Sequence, residues 1–285
     1  MRFLVVLSVV LLGLSARAQE YVVPFKNKQL INAQTTVIPD GFDFTIMHRF
    51  GKIGLNDEFY KSFLGFDLPA NIRFSLSYKL SDRAYVGVGR TKIGKTIDVE
   101  GKYLLLRQKQ NESPISVAIY NNTGINTDAY RGESPLAFFA DSVTPFENKF
   151  VHRFSYNTQL IISRKFSEKW SLQLSPTFVY QNLVEGVEKS HHTFVLPFSG
   201  RFQYSFGSAI LFEYAYKLNN TSDNQLDNPF SLGFEFGTAG HVFQVFMSNS
   251  YYIRETNIYT QEPYNFYDKP NEFVLGFNIR RVWWF

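Results

Sequence analysis

The chain has 285 residues, of which 45% are hydrophobic and 18% are aromatic, and it contains no cysteine. The absence of cysteine excludes disulfides, thiolate metal sites, cysteine nucleophiles and a lipoprotein anchor. The mean hydropathy is slightly negative, which excludes a bundle of transmembrane helices. The net charge of +4 is too small to indicate a nucleic-acid partner.

The first eighteen residues have the pattern of a secretory signal peptide. Arg2 supplies a positive charge, an apolar run extends from Phe3 to Leu14, and Ala16-Arg17-Ala18 fits the small-residue cleavage rule. The apolar run is too short to cross about 30 Å of hydrocarbon as a helix. We therefore expect residues 1–18 to be removed and the mature chain to begin at Gln19.

Beyond this segment, apolar and polar residues alternate repeatedly, which indicates β-strands with two different faces. The stretch 170–181 is the clearest example, because Trp170 and Leu172 fall on one face and Ser171 and Gln173 on the other. The pattern predicts twelve strands, near 42–51, 71–80, 84–92, 95–109, 114–123, 150–166, 170–181, 191–205, 209–219, 229–238, 240–251 and 271–285.

Short turns alternate with long polar loops, except that Ile93-Gly94 is tight where a long loop is due. The long loops lie near 52–70, 124–149, 182–190, 220–228 and 252–270. An even strand count, alternating segments of about ten residues and loops of unequal length at the two ends are typical of outer-membrane barrels. We predict an all-β fold, a transmembrane antiparallel up-and-down β-barrel of about twelve strands over 42–285, preceded by a periplasmic segment at 19–41.

The alternative fold is a secreted β-sandwich or a soluble barrel, in which the apolar face would point to a core. Aromatic residues near the strand ends and charges on the polar face favour the membrane. The last strand ends in Trp283-Trp284-Phe285, and Trp283 and Phe285 resemble the signal that the barrel-assembly machinery reads. A sheet in lipid must close, because every backbone group has to be paired within the protein.

Two features conflict with regular strands. Pro176 and Pro197 fall inside predicted strands, and we expect each of them to mark a bulge. Arg280 and Arg281 are adjacent, so strict alternation would turn one of them outward, where it would extend to the membrane interface. A bulge that changes the register is the other possibility.

If the apolar face points outward, the polar face lines the lumen. Charged side chains then become candidates for a selectivity region, in which charged groups choose the solutes that pass. The other interpretation is an ion-pair network that fills a narrow barrel, and the two interpretations do not exclude each other. The candidates are Asp43, Arg49, Arg73, Lys79, Asp98, Glu100, Lys102, Arg153, Lys165, Arg201, Glu213, Lys217, Glu235 and Arg280.

A barrel of this size could also be a lipid hydrolase, which needs a serine and a histidine close together. The strands could bring His152 to Ser171 or Ser175, although nothing in the sequence singles out that pair. The adjacent His191 and His192 diverge and have no carboxylate at ligand spacing. We therefore predict no catalytic residue, no cofactor, no metal site and no enzymatic activity.

Several stretches resemble an uncharacterised outer-membrane β-barrel family, a domain of unknown function, of Bacteroidetes-type bacteria. The stretches are 35–39, 42–51, 66–67, 70–73, 80–83, 86–91 and 103–108, with a weaker block at 240–244 and 248–250. The resemblance spans most of the mature chain and is most specific over 35–108. It implies a fold and an outer-membrane location but no reaction or substrate, so no functional residue is carried over.

Polar and charged inward faces lead us to expect a small passive channel or a solute-specific pore. The alternative is a non-conducting barrel that acts as a binding or assembly partner through loops 52–70, 124–149 and 252–270. These loops are long enough to fold back and close the lumen. The expected partners are outer-membrane lipid, the assembly machinery during insertion and small solutes.

Overall fold

A computed structural model describes residues 21–54, 58–129, 138–139, 141–184, 190–219, 228–238, 240–261 and 272–283. The predicted signal peptide, Phe285 and the middle of several long loops lie outside the described residues. Within the described residues, no helix is long and apolar enough to cross a membrane.

The described residues form one sheet of thirteen antiparallel strands. The strands are β1 Phe42–Arg49, β2 Asn71–Ser81, β3 Ala84–Thr91, β4 Thr96–Leu106, β5 Ser116–Ile125, β6 Phe154–Lys165, β7 Trp170–Leu174, β8 Thr177–Gln181, β9 His192–Ser205, β10 Ser208–Lys217, β11 Phe230–Gly237, β12 His241–Ser248 and β13 Val274–Trp283. Short α-helices lie at Glu58–Lys61 and Glu255–Thr260, and 3-10 helices at Ile93–Lys95 and Phe150–Arg153.

The sheet closes into a barrel because its first and last strands pair with each other. β1 pairs with β13, where Thr45 lies opposite Arg280, and with β2 on its other side. β7 and β8 both lie between β6 and β9, so they are two halves of one strand. The barrel therefore has twelve strand positions, and the prediction of a twelve-stranded up-and-down barrel is confirmed.

The two ends of the barrel differ in their connections. β2–β3, β4–β5, β6–β7, β9–β10 and β11–β12 are joined by short segments at one end, which we call the short-turn end. The longer connections lie at the opposite end, which we call the long-loop end. The predicted exception is confirmed, since β3 and β4 are joined by a single 3-10 turn in which Gly94 has a φ of 64°.

The prolines do not produce bulges, so that prediction is wrong. Leu174 lies opposite Ile162 and Thr177 opposite Gln159, so the register with β6 is the same on both sides of Pro176. A strand N–H bonds to one neighbour only, so a proline removes one ladder bond and adds no residue. The proline carbonyls still accept, from Leu160 N–H at 3.0 Å and Ser175 N–H at 2.9 Å.

The two faces of the wall have opposite polarity. On β2 to β4, Leu76, Val88 and Val99 are each more than 40% exposed, whereas Ser75 and Asp98 are at most 2% exposed. Because these apolar side chains alternate with buried polar ones, the apolar face is turned outward and the polar face lines the lumen.

The adjacent arginines follow this alternation without a bulge. Arg280 is buried inside the barrel, and Arg281 is exposed on the outside. The Arg281 Nη1 atom lies 3.2 Å from Nε2 of His241, and the guanidinium lies over the ring of Trp283. Trp283 ends β13 opposite Phe42, and its role as an assembly signal stays a prediction.

Glycines on the inner face make room for one large ring. Phe246 on β12 points inward between Gly233 on β11 and Gly276 on β13. A Cβ added to Gly276 would lie 2.6 Å from both the Phe246 ring and the His48 carbonyl oxygen. The wall at this place is therefore built around the Phe246 ring.

We predict that Gly276→Ala lowers the free energy of unfolding by about 1–3 kcal/mol, because overpacking shifts the ring or the backbone. The measurement is urea unfolding of the refolded barrel in lipid, followed by tryptophan fluorescence. Gly101→Ala is the matched control, since the nearest atom to its added Cβ is 3.9 Å away. Equal effects of the two substitutions would contradict the prediction.

Candidate functional site

The lumen contains a short hairpin formed by the chain before β1. We call residues 25–36 the lumenal hairpin. Its two limbs pair through Gln29 and Gln34, Thr35 N–H donates to the Lys28 carbonyl at 2.9 Å, and the chain turns at Ile31-Asn32. Every side chain from Asn27 to Thr36 is buried. The hairpin therefore occupies the inside of the barrel.

The sequence predicted a periplasmic segment at 19–41, whereas residues 25–36 of that stretch lie inside the barrel. From Asn27 to Thr36 the hairpin has six amide or hydroxyl side chains and one lysine, and Asn27, Lys28 and Thr36 contact inward polar groups of the wall. Both limbs leave at the short-turn end, where Val22 N–H donates to the Gln108 carbonyl at 2.9 Å and Lys79 Nζ to Asp40 at 2.8 Å.

An ion-pair cluster of the wall holds the incoming limb, through Lys28. Lys28 Nζ lies 3.0 Å from Glu100 Oε1 and 3.8 Å from Asp43 Oδ1. Arg73 bridges the Asp98 and Glu100 carboxylates at 2.5 and 3.3 Å. These side chains are at most 5% exposed, so the charges compensate one another out of contact with water.

A second cluster fixes Asn27. Its amide nitrogen donates to Glu235 Oε2 at 2.7 Å, and its oxygen accepts from Arg280 Nη1 at 2.8 Å. Arg280 also pairs with Asp43 on β1, and Arg201 donates to Glu235 at 2.9 Å. Asn27 thus links two ion pairs that lie on different parts of the wall.

The tip of the hairpin is held by hydrogen bonds and by apolar contacts. Glu213 accepts from the backbone N–H groups of Asn32 and Ala33, both at 2.9 Å. Arg49 donates to Asn32 Oδ1 at 2.8 Å, and its guanidinium lies 4.2 Å from the centre of the Phe246 ring. The apolar side chains of this cluster are Phe25, Leu30, Ile31, Ala209, Leu211 and Phe246.

A second insert enters from the long-loop end. We call residues 250–261, in the connection between β12 and β13, the loop insert. Arg254 donates to Asn122 Oδ1 at 3.0 Å and lies 3.9 Å from Asp98. Ile258 and Tyr259 of its short helix are buried against apolar side chains of β8, β9 and β10. The loop 252–270 was expected to be long enough to fold back into the lumen, and its described residues 252–261 lie there.

Little space is left between the two inserts. A cavity of about 20 Å³ lies between the hairpin tip at Asn32 and Ala33 and the helix residues Ile258 and Tyr259. That volume suits about one water molecule. In the described part of the chain, one insert therefore enters the lumen from each end.

Most of the predicted lumen residues lie where they were expected. The buried ones are Asp43, Arg49, Arg73, Asp98, Glu100, Lys102, Arg201, Lys217, Glu235 and Arg280. Glu213 is partly buried and bonds the hairpin. Their role in selectivity stays a prediction.

Three predicted residues do not join the lumen clusters. Lys79 pairs with Asp40 and Asp82 near the β2–β3 turn, and Lys165 pairs with the exposed Glu168. Arg153 belongs to the 3-10 helix before β6 and donates to backbone carbonyls there. Each lies near a strand end, where alternation does not decide burial.

The structure adds Lys28, Arg254 and Glu255, which sequence reasoning missed because they lie outside the strands. A signal was present in residues 27–36, where amide and hydroxyl side chains surround one lysine and three apolar residues.

The serine–histidine pairs considered for a hydrolase do not form. His152 lies before β6 at the long-loop end, and its Nδ1 accepts from Lys149 N–H at 3.1 Å. Ser171 lies opposite Lys165 at the other end of β6. Ser175 is 1% exposed and faces the lumen.

The comparisons with known proteins agree with this geometry. A family model described as a membrane bound beta barrel domain (DUF5777) matches residues 25–283. The chain belongs to this family. The match begins at Phe25, so the family domain includes the lumenal hairpin. No curated protein sequence matches the chain.

Solved structures show the same fold for this DUF5777 barrel. It is similar to the KdgM porin, with a TM-score of 0.50, 9% identity, and coverage of 85% of this chain and 99% of the porin. It is also similar to the NanC porin, with a TM-score of 0.51, 7% identity, and coverage of 85% and 100%. At these identities the likeness concerns the fold alone. The protein is a membrane-bound β-barrel with a porin-like fold.

Glu255 is a buried acid of the loop insert of this DUF5777 barrel. Burial and the nearby charge of Glu100 raise its pKa to about 7, although the charge of Arg73 opposes the shift. A side-chain contact from Gln34 of the lumenal hairpin also opposes the shift, and Oε2 lies 3.5 Å from Asn157 Nδ2. The folded insert therefore favours the protonated carboxyl group.

We predict that the insert loosens as the pH rises. The folded pKa of about 7 exceeds the ordinary value of 4.5, so the stabilisation from protonation is full below about 4.5 and is lost through about 7. The loss is about 3 kcal/mol. Hydrogen exchange of amides 255–260, corrected for intrinsic rates, should show falling protection between pH 5 and 9. Glu255→Gln should remove this dependence, and a profile unchanged by that substitution would contradict the assignment.

We predict that Glu100→Gln lowers the free energy of unfolding by about 3–5 kcal/mol, because it leaves Lys28 and Arg73 with too little buried negative charge. Thermal unfolding of the refolded barrel measures the effect. Glu168→Gln is the control, because Glu168 is 92% exposed in its pair with Lys165 and should contribute less than about 1 kcal/mol. A loss as small as that of the control would mean that Glu100 does not hold the hairpin.

Proposed function

We propose that the protein is an outer-membrane channel for small solutes, which the lumenal hairpin holds closed in the conformation described. The porin-like fold and the polar inner wall support a channel, and the filled lumen supports a closed state. The observation that carries the proposal is that both limbs of the hairpin leave by the same mouth. The hairpin can therefore withdraw as one unit without threading through the barrel.

The chain path supports this movement. The incoming limb passes the β4–β5 connection, where Tyr21 pairs with Lys109. The outgoing limb ends at Asp40, and Gly41 there has a φ of 85°, a conformation that glycine adopts without strain. The loop insert likewise begins and ends at the long-loop end, where Phe273 pairs with Ile53. Neither insert is part of the wall.

The energetics also permit opening. The two limbs pair with each other, so withdrawal leaves the backbone ladder of the barrel intact. Opening would replace contacts such as Lys28–Glu100 by contacts with water. The net free energy of such a replacement is small compared with the energy of the protein contact in the absence of water. Inward charges that are costly in a dry lumen are hydrated in a wet one.

A second candidate is a non-conducting barrel that acts through its outer loops. The filled lumen favours this alternative, because a hairpin that never leaves would close the barrel permanently. In either case we propose an outer-membrane location, with the short-turn end facing the periplasm, insertion by the barrel-assembly machinery and no enzymatic role.

We predict that a disulfide between Thr36→Cys and Ser163→Cys locks the channel. The two Oγ atoms are 2.6 Å apart, and the chain has no cysteine of its own. In planar bilayers the oxidised double variant should carry no current, and a reductant should restore the openings of the native chain.

The control disulfide joins Asn121→Cys and Thr158→Cys, which lie opposite each other on the outer face of β5 and β6. It should leave the openings unchanged. If the native chain and the reduced variant are both folded and silent, the channel proposal fails and the non-conducting barrel is favoured.

A further inference from the structure

The inner wall has a charged arc and a neutral arc. Buried charged side chains are contributed by β1, β2, β4, β9, β10, β11 and β13. Among the described residues, the consecutive strands β5 to β8 contribute none. Three of the twelve strand positions, a quarter of the circumference, are therefore polar without contributing a buried charge.

The neutral arc and the adjoining strand β9 carry a group of buried polar atoms that have no hydrogen-bond partner in the protein. We call the five side chains that carry them the neutral lane. They are Asn157, Gln159, Gln173, Ser175 and Ser199, and each is at most 3% exposed. The lane crosses three neighbouring strand positions, and Gln173 lies directly opposite Ser199. Buried polar groups are rarely left unpaired, so a group of five requires an explanation.

The return limb of the hairpin lies beside this lane. Gln173 Nε2 donates to the Gln34 carbonyl at 2.7 Å, and the hydroxyl groups of Thr36 and Ser163 share a hydrogen bond of 2.6 Å. The hairpin thus presents a neutral carbonyl and a hydroxyl group to the arc. It satisfies only part of the wall's hydrogen-bonding capacity, and the five lane atoms remain unpaired.

We propose that the neutral lane binds a neutral, polyhydroxylated solute, such as an oligosaccharide, when the hairpin withdraws. The inference rests on the proposed channel and names its solute class. Amide and hydroxyl groups both donate and accept, as the hydroxyl groups of such a solute do. An ionic solute would instead be held by the charged arc, where acids and bases pair with one another.

The test uses the full chain and measures opening of the hairpin directly. A cysteine at position 36, in Thr36→Cys alone, is labelled by a maleimide only when the hairpin leaves the wall. A solute that binds the lane competes with the hairpin and stabilises the open state. A short linear glucose oligomer should accelerate labelling about threefold or more. The size of the increase depends on the oligomer concentration relative to the Kd of the oligomer for the neutral lane. Polyethylene glycol of equal radius, which has no chain hydroxyl groups, should not.

Variants of the neutral lane distinguish specific binding of the solute from an effect of solute size alone. Adding Gln159→Met and Ser175→Ala should abolish the acceleration, since these substitutions remove Gln159 Nε2 and Ser175 Oγ, two of the unpaired atoms of the lane. Ser75→Ala is the matched control, because Ser75 is also a buried serine with an unpaired Oγ but lies on β2 in the charged arc. It should leave the acceleration intact.

Four outcomes would overturn the proposal. Three are equal acceleration by polyethylene glycol, equal acceleration by a glucuronate oligomer of the same length, and acceleration that survives the two lane substitutions. The fourth is the absence of any acceleration by the glucose oligomer. Labelling does not require ion flow, whereas the bilayer recordings measure ion flow directly. Failure of the solute-binding proposal can therefore be distinguished from failure of the channel proposal.

Discussion

The structure depends on one constraint, which is that a backbone in lipid has to pair all of its polar groups within the protein. The twelve strand positions meet this constraint by closing β13 onto β1. Closure then sends alternate side chains of every strand into one enclosed space. The outward set can be uniformly apolar, whereas the inward set has to be hydrated or paired. The lumenal hairpin and the loop insert provide the pairing in this conformation.

The fold could be predicted from the sequence because its determinant is local. Alternation in each strand marks the outward face, and all twelve segments were found in this way. Strict alternation also predicted that one of Arg280 and Arg281 points outward, with a bulge as the other possibility. The structure places Arg280 inside and Arg281 outside. The prolines were misjudged because sequence alone does not show which neighbour a given N–H faces. At Pro176 and Pro197 the lost donor costs one bond, and the register continues.

The site was only partly predictable because its contents are determined by distant contacts. The inward charges of the strands follow from alternation, but their partners do not. Asn27 meets Arg280 across 253 positions of the chain, and Asn32 meets Glu213 across 181. A segment of amides, hydroxyls and one lysine is equally compatible with water and with a polar lumen. Only the assembled wall, with Glu100 and Glu213 in place, makes the lumen favourable for it.

The wall cluster of Arg73, Asp98 and Glu100 connects the two inserts. Glu100 pairs with Lys28 of the hairpin, and Asp98 lies 3.9 Å from Arg254 of the loop insert, while Arg73 contacts both acids. If Lys28 leaves, Arg73 becomes the main compensation for Glu100, and Asp98 then depends more strongly on Arg254. Withdrawal of the hairpin therefore changes the charge balance of the cluster that also contacts the loop insert at the opposite mouth. Because the inserts share one set of buried charges, the closure at each mouth is energetically linked to the closure at the other.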